Sequence, residues 1–106
     1  TPDPLWSRGL GDVYKRQILH PAHPNPFNTS TTLSYELTVN EVVKIDIFDI
    51  LGDHVKTVLN EKQTIGYKTI IWDGTNDRNK TVPTGIYYCT VSTSRFSEIN
   101  KMVLIK

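Results

Sequence analysis

Asp73, Thr75 and Asp77 place oxygen-bearing side chains on alternate residues, the pattern by which a loop gathers hard ligands around calcium. Such a loop also needs a glycine at its sixth position and a bidentate glutamate at its twelfth. Counted from Asp73, Arg78 and Thr84 stand there, so charge and turn geometry both fall short. The segment reads better as the end of a core strand at Trp72, followed by a tight loop in which Asp73, Asn76 and Asp77 cap backbone N–H groups. His20, His23 and His54 are a second set of metal-ligand types. Two of them fall in a proline-rich segment and the third beside a turn, and no second ligand cluster accompanies them. The lone cysteine, Cys89, can form neither an internal disulfide nor a zinc framework. As a nucleophile it would need a thiolate, a base and an orienting group, yet it alternates with Tyr87 and Val91 on an apolar strand face where a thiolate is disfavoured. It is expected to be a buried core thiol. Asn28-Thr29-Ser30 and Asn79-Lys80-Thr81 match the glycosylation acceptor pattern, which is too short to carry a function by itself. No catalytic constellation, no metal site and no cofactor site is expected.

Composition narrows the remaining classes. A chain of 106 residues forms one core, and 38% hydrophobic with 22% charged residues describes an ordinary folded domain. Beyond residue 17 the basic and acidic side chains balance at nine each, which argues against the basic face that nucleic-acid binding requires. No apolar run approaches the roughly 20 residues of a membrane-spanning helix, so no membrane insertion is expected. Residues 1–17 carry neither a period of 2 nor one of 3.6 and lack the apolar stretch of a signal peptide, so they read as a disordered linker or an assembly scar. Isolated Trp6 and Tyr14 do not change that.

From residue 18 onward, short alternating segments are divided by turn residues. Leu33, Tyr35 and Leu37 alternate with Ser34 and Glu36; Val43, Ile45 and Ile47 alternate with Lys44 and Asp46. The run Asp49-Ile50-Leu51-Gly52-Asp53 supplies a glycine for a hairpin turn, and a strand over residues 54–59 should pair with the one before it. Lys68, Ile70 and Trp72 make one face of a fourth strand, Tyr87, Cys89 and Val91 one face of a fifth, and residues 100–105 form a sixth. No helical period is present. The expectation is an all-β, two-sheet antiparallel β-sandwich of six to seven strands over residues 18–106. Ahead of it, His23-Pro24-Asn25-Pro26-Phe27-Asn28 should be a stiff extended lead-in delivering Phe27 as an anchor.

These strings occur in an order that resembles a known family. Pro24-Asn25-Pro26-Phe27-Asn28, then Ser30-Thr31-Thr32, then residues 43–52 ending in Leu51-Gly52, look like the first half of type A C-terminal sorting domains of the bacterial type IX secretion system. Trp72-Asp73-Gly74, the Gly85-Ile86-Tyr87 string and the terminal Lys101-Met102-Val103-Leu104-Ile105-Lys106 continue the match. The same pattern is similar to the Ig-like domain of flagellar hook-capping proteins, which makes the expected sandwich Ig-like. His23, Asn79 and Cys89 depart from the family pattern, and Asn79, which tolerates the left-handed region, should preserve a turn usually made by glycine.

The resemblance implies a non-catalytic sorting domain, preceded by an unknown cargo, that is secreted or brought to the cell surface via the periplasm. The implied partners are the type IX outer-membrane translocon and a sortase-like surface protease. The implied signal is Lys101–Lys106, a final edge strand with a lysine at each end. Two other classes stay open. An adhesion or carbohydrate-binding module should gather Phe48, Tyr67 and Tyr88 into a patch, and a hook-capping-like assembly module should associate with itself or with filament subunits.

Overall fold

Alternation at a period of 2 sets the architecture. The computed structural model describes residues 19–106, in which six strands form two antiparallel sheets. Strand β1 (Thr31–Leu37) pairs with β4 (Gly66–Trp72) in one sheet. The other has the order β3-β2-β5-β6, made of β2 (Glu41–Asp49), β3 (His54–Gln63), β5 (Gly85–Ser92) and β6 (Ser97–Leu104). Connections β1–β2, β3–β4 and β4–β5 therefore cross between sheets. The inner faces are those the alternation marks. Leu33, Tyr35 and Leu37 meet Val43, Ile45, Ile47, Tyr87, Cys89, Val91, Met102 and Leu104 in one buried cluster, with Trp72 at its end. The expected tail at residues 1–17 lies outside the described residues.

Four expectations need correction. First, β3 runs to Gln63 rather than stopping at Leu59. Its last residues, Asn60, Glu61, Lys62 and Gln63, hide from a hydrophobic pattern because β3 is an edge strand, and polar edge residues discourage pairing with other chains. Second, β6 starts at Ser97 and ends at Leu104, leaving Ile105 beyond the strand. Third, the proline string is bent rather than extended: the His23–Pro24 and Asn25–Pro26 peptide bonds are both cis, an isomer accessible mainly before proline. It still delivers Phe27 into the core.

The fourth concerns Asp46, which alternation assigns to solvent but which is buried. The β2–β3 ladder shifts register between Ile45 and Asp46 and again between Ile47 and Phe48. Around these shifts the Asp46 carboxylate accepts from the Thr57 hydroxyl at 2.7 Å, with His54 Nε2 at 3.0 Å and Lys44 Nζ at 3.8 Å. A buried carboxylate is tolerable only when bonded in this way.

Two turns show sequence acting directly on backbone. Gly52 has φ 89°, and Asp49 Oδ1 accepts from the amides of Leu51 and Asp53, which closes the β2–β3 hairpin. Asn79 takes φ 60°, as the substitution for a turn glycine implies.

Candidate functional site

Most of the sequence motifs converge on one end of the sandwich. Phe27 lies edge-on to Trp72 with ring centroids 5.5 Å apart, and Trp72 lies edge-on to Tyr87 at 5.4 Å. The Trp72 indole N–H donates to the carbonyl of Thr75 at 2.9 Å, and the Tyr87 hydroxyl donates to the carbonyl of Pro83 at 2.6 Å, so both polar tips are satisfied. Gly74, at φ 74°, runs close to Thr29 and Leu104; a Cβ there would stand 3.6 Å from the Thr29 carbonyl oxygen. Gly85 opens β5. Leu51 and Gly52 are outside this assembly, in the β2–β3 turn, where Leu51 is 83% exposed.

The segment Lys101–Lys106 is fastened at this same end. Phe27 forms a parallel bridge with Leu104: its amide donates to the carbonyl of Val103 and its carbonyl accepts from the amide of Ile105, both at 2.9 Å. Asn25 bonds twice to β6, donating to the Lys101 carbonyl at 3.0 Å and accepting from the Val103 amide at 2.9 Å. Asn28 donates to the Ile105 carbonyl at 3.2 Å, and the Lys106 amide donates to Thr84 Oγ1 at 3.0 Å. The edge that the sequence suggests is open is therefore strapped by residues 25–28. Strand alternation also divides the six signal candidates. Met102 and Leu104 are core residues, Val103 is half-buried, and Lys101, Ile105 and Lys106 face solvent. Beside them a shallow cleft of about 280 Å³ is lined by Asn28, Thr29, Asp73, Gly74, Thr81, Leu104 and Lys106.

The strapping role of Asn25 and Asn28 is absent from the sequence reading, which gives the string to its prolines. Its only signal is that each asparagine stands beside proline or phenylalanine in a segment too short to pair as a strand.

The 73–81 loop is held in part as expected, with Asn76 capping backbone N–H groups inside it and Asp77 bonding a backbone N–H outside it. Asn76 Oδ1 accepts from the amides of Arg78 and Lys80 and is the local cap. Asp77 reaches across to the Thr57 amide at 3.0 Å and to His54 at 3.5 Å, tying the loop to β3. Asp73 accepts from the Thr75 hydroxyl, a bond that, with the Lys56 ammonium behind it, holds its carboxyl below the usual range. The two carboxylates are thus engaged in different directions. The three histidines are also separate: His20 faces Glu36, His23 bridges to Thr32, and His54 sits between Asp46 and Asp77. Among the described residues no group of three or more His, Cys, Asp or Glu side chains is placed to hold a metal ion. Phe48 and Tyr88 are cross-strand neighbours on the larger sheet, whereas Tyr67 is on the smaller one, so the three aromatics do not form the single patch a glycan platform would use.

Cys89 is fully buried, and burial, with Asp46 adding to it, pushes its thiol up to about 12. In the folded chain its alkylation is expected to run about two orders of magnitude or more slower than in denaturant. Because the folded thiol holds its proton to higher pH, this group's contribution to stability is complete below pH ~9 and is lost as pH rises toward 12. Alkylation rates with and without urea check the first expectation; equal rates would contradict it.

Six strands in two crossed-over antiparallel sheets, closed at one end by a ring triad, define an Ig-like β-sandwich. Residues 26–96 match the FlgD Ig-like domain family, and the chain belongs to that family. Among solved structures it is similar to PorU, crystallised as a latent dimer, from Porphyromonas gingivalis (23% identity, TM-score 0.63, 83% of this chain and 9% of that one). It is also similar to PorZ, an essential surface component of the type-IX secretion system of the same bacterium (17%, TM-score 0.58, 83% and 11%). FlgD from Xanthomonas campestris, a hook-capping protein of flagellar assembly, is similar over 82% of this chain and 60% of its own (22%, TM-score 0.55). The chain therefore spans about a tenth of the PorU and PorZ chains. At these identities the likeness shows the fold. Among curated proteins none matches the chain. Among the described residues no helix is long and apolar enough to cross a membrane.

Proposed function

We propose that this chain is a non-catalytic sorting domain that directs an exported cargo through the type IX outer-membrane translocon to the cell surface. The observation that carries the reading is the strapped segment Lys101–Lys106. A signal read on unrelated cargo after folding must be rigid and accessible. Here Asn25, Phe27 and Asn28 fix the backbone, Met102 and Leu104 anchor it, and Lys101, Ile105 and Lys106 are presented outward. Two lysines flanking an apolar residue offer a partner both charge steering and a small contact surface. The order of the family motifs, and the likeness to a domain within PorZ, a component of that secretion system, support the same reading. Its partners are then the translocon and a sortase-like surface protease, and its route runs through the periplasm.

Family membership favours a second reading, an assembly module like that of hook-capping FlgD. One experiment separates them. The full chain, fused behind a periplasmically exported reporter in a bacterium with type IX machinery, is expected to bring the reporter to the surface or medium. A folded fusion retained in the periplasm and bound to filament subunits would favour the assembly module.

A further inference from the structure

The other sandwich edges are covered at least in part. Residues 19–23 run along β1, residues 25–28 strap β6, and Asp77 bonds Val55 and Thr57 on β3. Strand β4 is different. Thr32 exchanges backbone bonds with His23, at 2.9 and 3.1 Å, and the Ser34 carbonyl accepts from His20 at 2.8 Å, so these β1 residues direct their backbone groups away from β4. By alternation β1 bonds β4 through Leu33 and Tyr35, whose partners are Ile70 and Lys68. Tyr67, Thr69 and Ile71 then direct both N–H and C=O to the far side, where no further strand of the described residues follows. Their side chains are on the outer face, with Tyr67 61% and Ile71 63% exposed.

We propose that β4 is an interaction edge whose occupant is β4 of a second copy, antiparallel and centred on Thr69. The edge is complementary to itself in that register. Thr69 faces its own copy and Tyr67 faces Ile71 of the partner, so all three outward residues exchange both backbone bonds, and an aromatic side chain meets a β-branched one on the solvent face. Lys68, the strand's one charge, then opposes Ile70. A register centred on Lys68 would set lysine against lysine, and one centred on Ile70 would set Asp73 against Tyr67. Lys68 is half-buried by the alternation of β4, and its ammonium donates to Thr64 Oγ1 at 2.8 Å. Pairing would join the two small sheets into one four-stranded sheet and remove the exposed edge. This inference is independent of the sorting function.

Light scattering of the full chain over a concentration series is the test. A mass rising toward twice that of the chain, with slowed amide exchange at Tyr67, Thr69 and Ile71, is expected. The double variant Y67K/I71K sets lysine against lysine in the paired register and should weaken association at least about tenfold. Thr69→Pro removes one outward N–H from an edge position where proline is tolerated, and should weaken it likewise. V42K, on the exposed face of the other sheet, should leave association unchanged. A chain monomeric throughout, or dimerisation that survives Y67K/I71K with circular dichroism unchanged, overturns the proposal.

Discussion

Replacing Trp72 by alanine is expected to cost about 3–5 kcal/mol, a large part of the ~5–15 kcal/mol that holds a domain of this size together. The indole is 1% exposed and wedged between Phe27 and Tyr87, so its loss opens a cavity that two rings cannot both collapse into. It also leaves the Thr75 carbonyl without its donor. Urea denaturation followed by circular dichroism measures the effect. Trp72→Phe, which keeps most of the volume but not the N–H, should fall between wild type and alanine. A Trp72→Ala variant within ~1 kcal/mol of wild type would mean that the ring triad is not the centre of the core.

Phe27→Ala is expected to cost a similar ~3–5 kcal/mol, with an additional local signature. Phe27 is both a core ring and the backbone partner of Val103 and Ile105, so its truncation should loosen the strap and the segment beneath it together. Amide exchange at Ile105 should accelerate more than exchange at Ile45 or Ile47 in β2. Because Phe27 and Trp72 touch, the double variant should cost less than the two single changes summed, by the ~0.5–1.5 kcal/mol typical of an aromatic pair. Strict additivity, or uniform acceleration across the sheet, would show that the strap and the core are not coupled through this residue.

The parts legible in the sequence are those governed by strand alternation and by single-residue backbone chemistry. Leu33-Tyr35-Leu37, Val43-Ile45-Ile47 and Tyr87-Cys89-Val91 announce their faces because one side is buried and the other wet, and Gly52 and Asn79 announce turns because few residues accept positive φ. Illegible parts depend on partners distant in sequence. Asp46 reads as a surface residue until the register shifts of the β2–β3 hairpin bring His54 and Thr57 to it. The Asn25 and Asn28 amides read as parts of a proline-stiffened lead-in, yet they bond to backbone 76 to 78 positions away. Asp77 reads as a loop cap but bonds across to β3. The polar end of β3 is silent because an edge strand need not alternate. The proposed signal reads in the sequence as one segment, whereas its division into anchors and exposed groups depends on the tertiary fold.

The measurement that tests the central proposal most directly is surface delivery of a reporter by the full chain, compared with the variant carrying Lys101→Ala and Lys106→Ala. Both lysines are exposed, and such surface changes usually alter stability by under ~0.5 kcal/mol, so the variant should melt with the wild type. The sorting account predicts that the wild-type fusion reaches the surface and that the folded variant accumulates in the periplasm. A wild-type fusion that folds normally yet remains in the periplasm of a competent host would contradict it.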